Sequence, residues 1–240
     1  MKNDRNNNRK FYSVNSGQVP FLFKEAFKSL RTNIKHLSES KSVSSIVITS
    51  ALPGEGKSTV SVNLGLTLAD DDKKVVIVDC DLRNPTIHKY LNLLNRGSGL
   101  ANVLSGEKKY SDVITRIDDS SLYAVCAGRL PDNPSELLGS NEMKLFIEKL
   151  KEEFDFVILD DPPVTVVTDA AIVGGLVDGA VLVVRSRYTP ISTLKLAKEN
   201  LNRVDIPILG SVLTCYNLKN GNSGYKHSYS YASNYYGINR

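Results

Sequence analysis

The chain has 240 residues, 41% of them hydrophobic, which suffices for one α/β domain with a sizeable core and additional tails. Its formal net charge of +4 is too small to indicate nucleic-acid binding, so no nucleic-acid partner is expected. The three cysteines lack both C-x-x-C spacing and a matching histidine cluster, which argues against a zinc site or disulfide framework and fits a reducing cytoplasm.

The chain opens with a basic segment that precedes a helix. Residues 1–10 carry four basic groups against the single acid Asp4, so residues 1–23 are predicted to form a flexible basic arm. Such an arm suits an anionic membrane surface or an acidic partner, or it is simply a solvated tail. The apolar spacing of Phe27, Leu30 and Ile34 then predicts an amphipathic helix over residues 24–38.

Short apolar runs and helix-like stretches alternate along the rest of the chain. The predicted strands are 45–50, 75–79, 122–126, 156–160, 180–184 and 208–213. The predicted helices are 58–69, 110–117, 135–153, 168–177 and 192–204. This alternation predicts an α/β fold with a predominantly parallel sheet and helices on both faces. Ligands of such sheets bind beyond the carboxyl ends of the strands.

A phosphate-binding loop follows the first predicted strand. Residues 51–58 read A-L-P-G-E-G-K-S, with Ala51 in place of the usual first glycine. The glycines let backbone N–H groups surround a polyphosphate, Lys57 reaches its β and γ oxygens, and the Ser58 hydroxyl binds Mg²⁺. ATP and Mg²⁺ are therefore the expected cofactors. The nucleotide-binding residues are predicted to be Pro53, Gly54, Glu55, Gly56, Lys57, Ser58 and Thr59.

Aspartates follow two other predicted strands. Residues 79–83 read D-C-D-L-R, and residues 160–163 read D-D-P-P. One such aspartate is more often a turn residue or a helix cap, but two such motifs together with a phosphate loop favour a magnesium–nucleotide site. Mg²⁺ takes hard oxygen ligands and keeps several waters, so one or two carboxylates, Ser58 and phosphate oxygens suffice.

Residues 170–184 resemble a membrane span, but the run is too short for a bilayer and Asp178-Gly179 interrupts it. No transmembrane segment or signal peptide is therefore predicted.

The C-terminal residues 217–240 are predicted to form a flexible tail rich in tyrosine. Five of the eleven tyrosines fall within twelve residues, while residues 219–237 contain no Leu, Val or Phe that would build a core. Accessible tyrosines suit phosphorylation, although a tail that docks on its own domain or binds a single-stranded nucleic acid is an alternative. The candidate phosphoacceptors are Tyr225, Tyr229, Tyr231, Tyr235 and Tyr236.

Together these features resemble the bacterial tyrosine kinases, or BY-kinases, of the deviant-Walker superfamily of P-loop proteins. The loop at 51–58, D-x-D-x-R at 79–83 and D-D-P-P at 160–163 are similar to the family's Walker A, A′ and B motifs, and N-P-S-E-L-L at 133–138 also matches. The similarity runs from Lys24, so residues 24–216 are taken as the kinase domain. It implies transfer of the ATP γ-phosphoryl group to tail tyrosines of a neighbouring copy.

The resemblance also suggests roles for individual residues. Lys57, Asp79, Asp81 and Arg83 are the expected catalytic residues. Asp79 is the expected proton acceptor, while Ser58, Asp81 and Asp160 hold the magnesium hydration shell; sequence does not separate base from ligand among the three aspartates. Arg83 positions phosphate or acceptor, or alternatively fixes its own loop through a salt bridge. Thr214-Cys215 stands where the family commonly has Asn-Lys, which leaves the adenine contacts open.

Assembly and biological context follow from the resemblance alone. Glu25, Lys28 and Arg31 match an oligomerisation helix of ring-like homo-oligomers, with Lys28 in place of an arginine; a simple amphipathic brace is the alternative. Gram-positive relatives are stand-alone cytoplasmic kinases activated by the cytoplasmic segment of a membrane protein of the polysaccharide co-polymerase type. This implies a location at the inner face of the membrane, control of capsular or extracellular polysaccharide synthesis and export, cytoplasmic protein substrates and an opposing phosphotyrosine phosphatase.

Two other functions fit a P-loop protein. A partition-type or cell-division-site ATPase switch hydrolyses ATP without phosphorylating protein, but its hallmark K-G-G-x-G-K needs a second lysine where Leu52 and Pro53 stand here. A nucleotide-dependent scaffold would bind ATP and partners without useful turnover. Phosphotyrosine formation separates the kinase from both.

Overall fold

The protein is built around a seven-stranded β-sheet. The structure is a computed structural model that describes residues 13–17, 19–93 and 97–217. The strands are β1 (Ser45–Ser50), β2 (Val75–Asp79), β3 (Ile114–Arg116), β4 (Leu122–Val125), β5 (Phe156–Asp160), β6 (Gly179–Arg185) and β7 (Ile208–Thr214). The α-helices are α1 (Phe21–Lys41), α2 (Lys57–Ala69), α3 (Ile87–Tyr90), α4 (Leu100–Leu104), α5 (Pro134–Leu138), α6 (Asn141–Glu153), α7 (Asp169–Gly174) and α8 (Ile191–Asn202). A 3-10 turn covers Tyr110–Asp112.

The strand order is β3-β4-β2-β5-β1-β6-β7, and all neighbouring strands are parallel except the antiparallel pair β3 and β4. The central strands β2, β5 and β1 are buried along their whole length, which explains their continuous apolar sequences. Strand β5 lies between the other two, and the register pairs Asp160 with both Asp79 and Ile48. The loops after these three strands therefore leave the sheet side by side.

Each face of the sheet has its own hydrophobic core. One core packs α1 and α2 against the sheet through residues such as Ile34, Leu64 and Ile77. The other packs α4, α6, α7 and α8 against the opposite face, with Leu104, Phe146 and further residues at its centre. The prediction of a mostly parallel sheet with helices on both faces is confirmed.

The folded region begins before the predicted boundary at Lys24. Helix α1 starts at Phe21, and Val14 is only 4% exposed within the core of α1 and α2. The Val14 backbone N–H also donates to Oδ1 of buried Asn63, at 2.7 Å. Part of the segment 13–23 therefore packs against the folded domain, at Val14 and at the start of α1. The basic residues 1–10 lie outside the described residues.

Two of the predicted helices are wrong in type or extent. The stretch 110–117 contains a 3-10 turn and strand β3, because it pairs with β4 at the edge of the sheet. The stretch 135–153 consists of two helices, α5 and α6, separated at Gly139-Ser140, where the Ser140 side chain accepts a hydrogen bond from the Met143 N–H and caps α6. The short helices α3 and α4 were not predicted.

Asp178 fixes the start of β1. Its carboxylate accepts hydrogen bonds from the backbone N–H groups of Ser44 and Ser45, both at 2.8 Å, and from Lys151 Nζ at 2.7 Å. Burial disfavours the charged carboxylate, but these donors outweigh burial and lower the pKa of Asp178 to about 2.

Within the described ranges, no helix has both the length and the apolar character needed to cross a membrane.

Candidate active site

The three motifs found in the sequence meet at one edge of the sheet. The phosphate loop follows β1, the D-x-D-x-R element follows β2, and the D-D-P-P element follows β5, and these three strands are neighbours. The loop ends in helix α2, whose N-terminal N–H groups and dipole favour a phosphate group. The geometry therefore gathers the predicted phosphate, metal and acid–base residues into a single site.

Three consecutive carbonyl groups of the phosphate loop are fixed from outside by hydrogen-bond donors. The Tyr188 hydroxyl donates to Pro53 O at 3.2 Å, Arg185 Nη1 to Gly54 O at 3.2 Å, and Thr214 Oγ1 to Glu55 O at 2.6 Å. These donors lie at the carboxyl ends of β6 and β7.

In a trans peptide the carbonyl and the following N–H point in opposite directions. Fixing these three carbonyls outward therefore directs the N–H groups of residues 54, 55 and 56 toward the interior of the loop. Donors that are oriented before the ligand arrives bind a polyphosphate without further reorganisation.

The Glu55 side chain anchors the same loop to β6. Glu55 is 1% exposed, and its carboxylate accepts from the backbone N–H of Leu52 at 2.7 Å and from the Thr189 hydroxyl. Gly56 has φ +98°, and the methyl carbon of Thr214 lies 3.4 Å from where a Cβ would be, so a larger residue would be strained. The predicted nucleotide residue Glu55 therefore contributes its backbone to the loop and its side chain to the support.

Ser58 and Asp160 are in direct contact, as a shared metal site requires. Ser58 Oγ donates to Asp160 Oδ2 at 2.6 Å and accepts from Thr86 Oγ1 at 2.7 Å. The other Asp160 oxygen accepts from Ser61 Oγ at 2.8 Å. Burial raises the pKa of Asp160, although Lys57, Ser58 and Ser61 oppose the shift. Thr86 and Ser61 were not predicted, and their only sequence signal is proximity to the motifs.

Asp79 is fully buried and supports helix α3. Its Oδ2 accepts from the N–H groups of Thr86 and Ile87, at 2.9 and 3.0 Å, while Oδ1 has no hydrogen-bond partner among the described residues. Burial and the nearby Asp160 raise the pKa of Asp79 well above its usual range. Helix α3 in turn brings the Tyr90 hydroxyl within 2.9 Å of Thr59 Oγ1, a predicted nucleotide residue.

Two further carboxylates complete the acidic cluster. Asp81 is partly exposed, and its Oδ1 accepts from the Asn84 N–H at 2.9 Å. Burial raises the pKa of Asp81, and Lys57 lowers it in part. Asp161 was not selected from the sequence, yet it is buried with both carboxylate oxygens unpartnered within the described chain; burial and Asp160 raise its pKa. The sequence signal that could have identified Asp161 is its position directly after Asp160 in the D-D-P-P motif.

Arg83 forms a salt bridge that fixes its own loop, one of the two roles considered from the sequence. Its Nε donates to Oδ2 of fully buried Asp169 at 2.8 Å, and its Nη2 donates to Ser135 Oγ at 2.8 Å. Ser135 also donates to Asp169 Oδ1 at 2.6 Å. This network connects the loop after β2 with helices α5 and α7.

The residues present fit a magnesium ion that is shared with a nucleotide. Among the described residues, no group of three His, Cys, Asp or Glu side chains is arranged to hold a metal. The site nevertheless offers the Ser58 hydroxyl beside the carboxylate of Asp160, and Asp81 lies nearby. Asp79 adds Oδ1, a buried oxygen without a hydrogen-bond partner among the described residues. Mg²⁺ normally keeps several waters and takes ligand phosphate oxygens, so this partial set suits it better than a metal that needs a complete protein cage.

The remaining predicted residues lie elsewhere. Lys28 Nζ pairs with Glu25 at 2.8 Å on the exposed face of α1, and Arg31 donates to Thr67 O at 3.1 Å at the end of α2. The five candidate phosphoacceptors between residues 225 and 236 lie outside the described residues.

Comparison with known proteins agrees with this site. Residues 43–201 match the family described as an AAA domain. Tyrosine-protein kinase YwqD of Bacillus subtilis is 38% identical over 207 residues, which are 86% of this chain and 84% of YwqD. Tyrosine-protein kinase CpsD of Streptococcus agalactiae is 35% identical over 189 residues, which are 79% of this chain and 82% of CpsD.

Solved structures agree in fold. The crystal structure of the chimerical protein CapA2B2 superposes with a TM-score of 0.75 at 38% identity, covering 79% of this chain and 83% of that one. The septum site-determining protein MinD of Pyrococcus horikoshii, complexed with Mg-ADP, gives 0.64 at 25% identity, covering 77% and 76%. The fold is therefore that of P-loop nucleotide-binding proteins. On the strength of the kinase relatives and of the motifs assembled at this edge of the sheet, the chain belongs to the bacterial tyrosine-protein kinase family, a family of protein-tyrosine kinases.

Proposed function

We propose that this kinase transfers the γ-phosphoryl group of Mg-ATP to the tyrosines of its own C-terminal cluster, and that one copy acts on the tail of another. The observation that supports this most directly is the phosphate loop, in which donors from β6 and β7 fix three consecutive carbonyls outward. Phosphoryl transfer requires mainly positioning and charge neutralisation, and preoriented N–H groups supply both.

The side chains divide the work by position. Lys57 neutralises charge on the transferred phosphoryl group and on the leaving oxygen. Ser58 and Asp160 would hold a magnesium ion, which would supply positive charge to neutralise the phosphates. Asp81 is the carboxylate that orients the tyrosine hydroxyl and accepts its proton, because it is partly exposed whereas Asp79 is fully buried and supports α3. Arg83 acts through its salt bridge by keeping Asp81 in place.

Peptide mass spectrometry of purified protein incubated with Mg-ATP tests this function. Phosphate on residues 225–236 that depends on Lys57 is expected, with Lys57→Met and a truncation after Asn222 as controls. The cytoplasmic segment of an adjacent membrane protein is added in a parallel sample, because the family resemblance implies an activator of that kind. If ATP is consumed and no tyrosine gains mass even with that segment, the autokinase proposal fails.

The division of roles has its own test. Asp81→Asn should lower kcat for tyrosine phosphorylation about 100-fold or more while the thermal unfolding midpoint stays near wild type. Asp79→Ala should instead lower the stability, because it removes the oxygen that accepts two backbone hydrogen bonds in the core. Equal kcat in Asp81→Asn and wild type would remove Asp81 from the chemistry.

An ATPase switch is the second candidate, and the likeness to MinD favours it at the level of the fold. A lysine early in the phosphate loop is absent here, since Leu52 and Pro53 occupy those positions. Phosphate release without phosphotyrosine would support the switch, and nucleotide binding without either product would support a scaffold.

The biological setting is proposed from the family. The kinase would act at the inner face of the cell membrane with an activator of the polysaccharide co-polymerase type, and would control capsular or extracellular polysaccharide synthesis.

Glu25, Lys28 and Arg31 would contact a neighbouring copy in a ring. Five phosphotyrosines, each adding about −1.5 to −2 charge, would repel one another and open that ring. Phosphorylated protein should then elute as a smaller species than Lys57→Met at equal concentration, and equal elution would contradict the ring opening.

A further inference from the structure

Tyr188 combines exposure with a structural role at the phosphate loop. Five tyrosines fall within the described residues, and two of them are exposed, Tyr188 at 47% and Tyr216 at 39%. The hydroxyl of Tyr188 donates to Pro53 O, and its ring lies 5.0 Å from the Arg185 guanidinium. Tyr188 is therefore accessible to another protein while it contacts the nucleotide site of its own chain.

We propose that Tyr188 is a phosphorylation site of this kinase and that phosphate on Tyr188 weakens nucleotide binding. The inference rests on the proposed function, since a neighbouring copy supplies the phosphoryl group. The hydroxyl faces the outer side of the loop, away from the cradle, so the site of its own chain is not in line with it. In the neighbour's site, the tyrosyl oxygen attacks the γ-phosphorus, the bond to the β,γ-bridging oxygen breaks, ADP leaves, and the phenol proton passes to a carboxylate.

The surroundings of Tyr188 suit a phosphate group. Arg185 packs on the ring, and Arg187 immediately precedes Tyr188 and is exposed. Guanidinium groups form charge-assisted, bidentate hydrogen bonds with phosphate oxygens.

Phosphorylation would remove two of the three outer supports of the loop. A phosphotyrosine has no O–H, so Pro53 O loses its donor. The phosphate dianion also competes for Arg185, whose Nη1 now donates to Gly54 O at 3.2 Å. Both peptides are then free to rotate, and the N–H groups of Gly54 and Glu55 no longer point into the cradle before ATP arrives. Two hydrogen bonds of ordinary net strength correspond to a loss of affinity of about 30-fold.

The first experiment asks whether Tyr188 is modified. Full-length Lys57→Met protein, which serves only as acceptor, is incubated with Mg-ATP and a wild-type chain that is distinguishable by isotope labelling. Peptide mass spectrometry should find phosphate on Tyr188 of the acceptor, and Tyr216 serves as the exposed comparison residue. Phosphate on the tail cluster with none on Tyr188 would overturn this inference and leave the proposed function intact. Phosphate on no tyrosine, even when the activator segment described above is added, would overturn both.

The second experiment measures the consequence for the nucleotide. All five tail tyrosines are changed to Phe, so that their phosphates do not contribute, and binding of a fluorescent ATP analogue is compared before and after incubation with Mg-ATP. Affinity should fall about 30-fold and recover after treatment with a tyrosine phosphatase. Adding Tyr188→Phe should abolish the change on incubation, whereas adding Tyr216→Phe should preserve it. Phosphate on Tyr188 with unchanged affinity would refute the regulatory role.

Discussion

Removing one outer support of the phosphate loop should weaken ATP binding without disturbing the fold. Thr214→Val keeps the shape of the side chain, including the methyl carbon that lies 3.4 Å from the Cβ position of Gly56, but deletes the hydroxyl that donates to Glu55 O at 2.6 Å. The freed carbonyl can turn toward solvent in the nucleotide-free protein. Binding must then reorient this peptide before the Gly56 N–H can reach a phosphate.

The size of the effect follows from the single hydrogen bond involved. A neutral hydrogen bond contributes about 1 kcal/mol net, which corresponds to a rise in Kd for ATP of about fivefold. The free energy of unfolding should fall by no more than about 1 kcal/mol, because no buried apolar surface is lost. Thr214→Ser restores a hydroxyl and should bind ATP nearly as tightly as wild type.

Titration with a fluorescent ATP analogue in the presence of Mg²⁺ measures this change. Thr115→Val is the matched control, since Thr115 is exposed on β3 at the opposite edge of the sheet. If Thr214→Val and Thr115→Val bind the analogue with equal affinity, the outward carbonyls do not preorganise the loop, and the account of the site given above is wrong.

Three further predictions concern stability. Asp169→Asn should lower the free energy of unfolding by about 2 kcal/mol in urea denaturation, because it breaks the salt bridge to half-exposed Arg83 at a fully buried position; a change below about 0.5 kcal/mol would contradict this. Gly99→Ala should cost at least about 2 kcal/mol, since the new Cβ would overlap the backbone carbonyl of residue 126, and wild-type thermal stability would refute the close approach. The pKa of Asp178 is about 2 in the folded protein and 3.8 in the unfolded chain, so its charged carboxylate stabilises the fold above pH 3.8. The difference in free energy of unfolding between wild type and Asp178→Asn should therefore be largest at neutral pH and shrink as the pH falls from about 4 to 2. A difference that does not change with pH would contradict the lowered pKa.

The sequence predicted the central strands well because their residues are buried on both sides. The runs at 45–50, 75–79 and 156–160 match β1, β2 and β5 residue for residue. The edge of the sheet was harder to predict. Strand β3 has only three residues, mostly exposed, and it exists because it pairs with β4, a long-range contact that leaves no local period.

The site was predicted only as far as its motifs extend. The phosphate loop and the two aspartate motifs do meet, because their strands are neighbours. The donors Arg185 and Tyr188 were missed, and Thr214 was considered only for the adenine contacts. All three lie at the ends of β6 and β7 or just after, far away in sequence from the loop. The signal that would have found them is positional: both strands end at the same edge of the sheet, where ligands of parallel sheets bind.

The position of Thr214 also limits how far from the phosphate loop Tyr225 can lie. Strand β7 ends at the phosphate loop, and Tyr225 follows eleven residues later. A chain of that length spans at most about 40 Å, so the first tail tyrosine is tethered close to a nucleotide site in every copy. A group on so short a tether has an effective concentration in the millimolar range for surfaces it can reach. In an assembly of copies as proposed above, transfer to Tyr225 would therefore be independent of protein concentration, whereas separated copies would have to meet by diffusion.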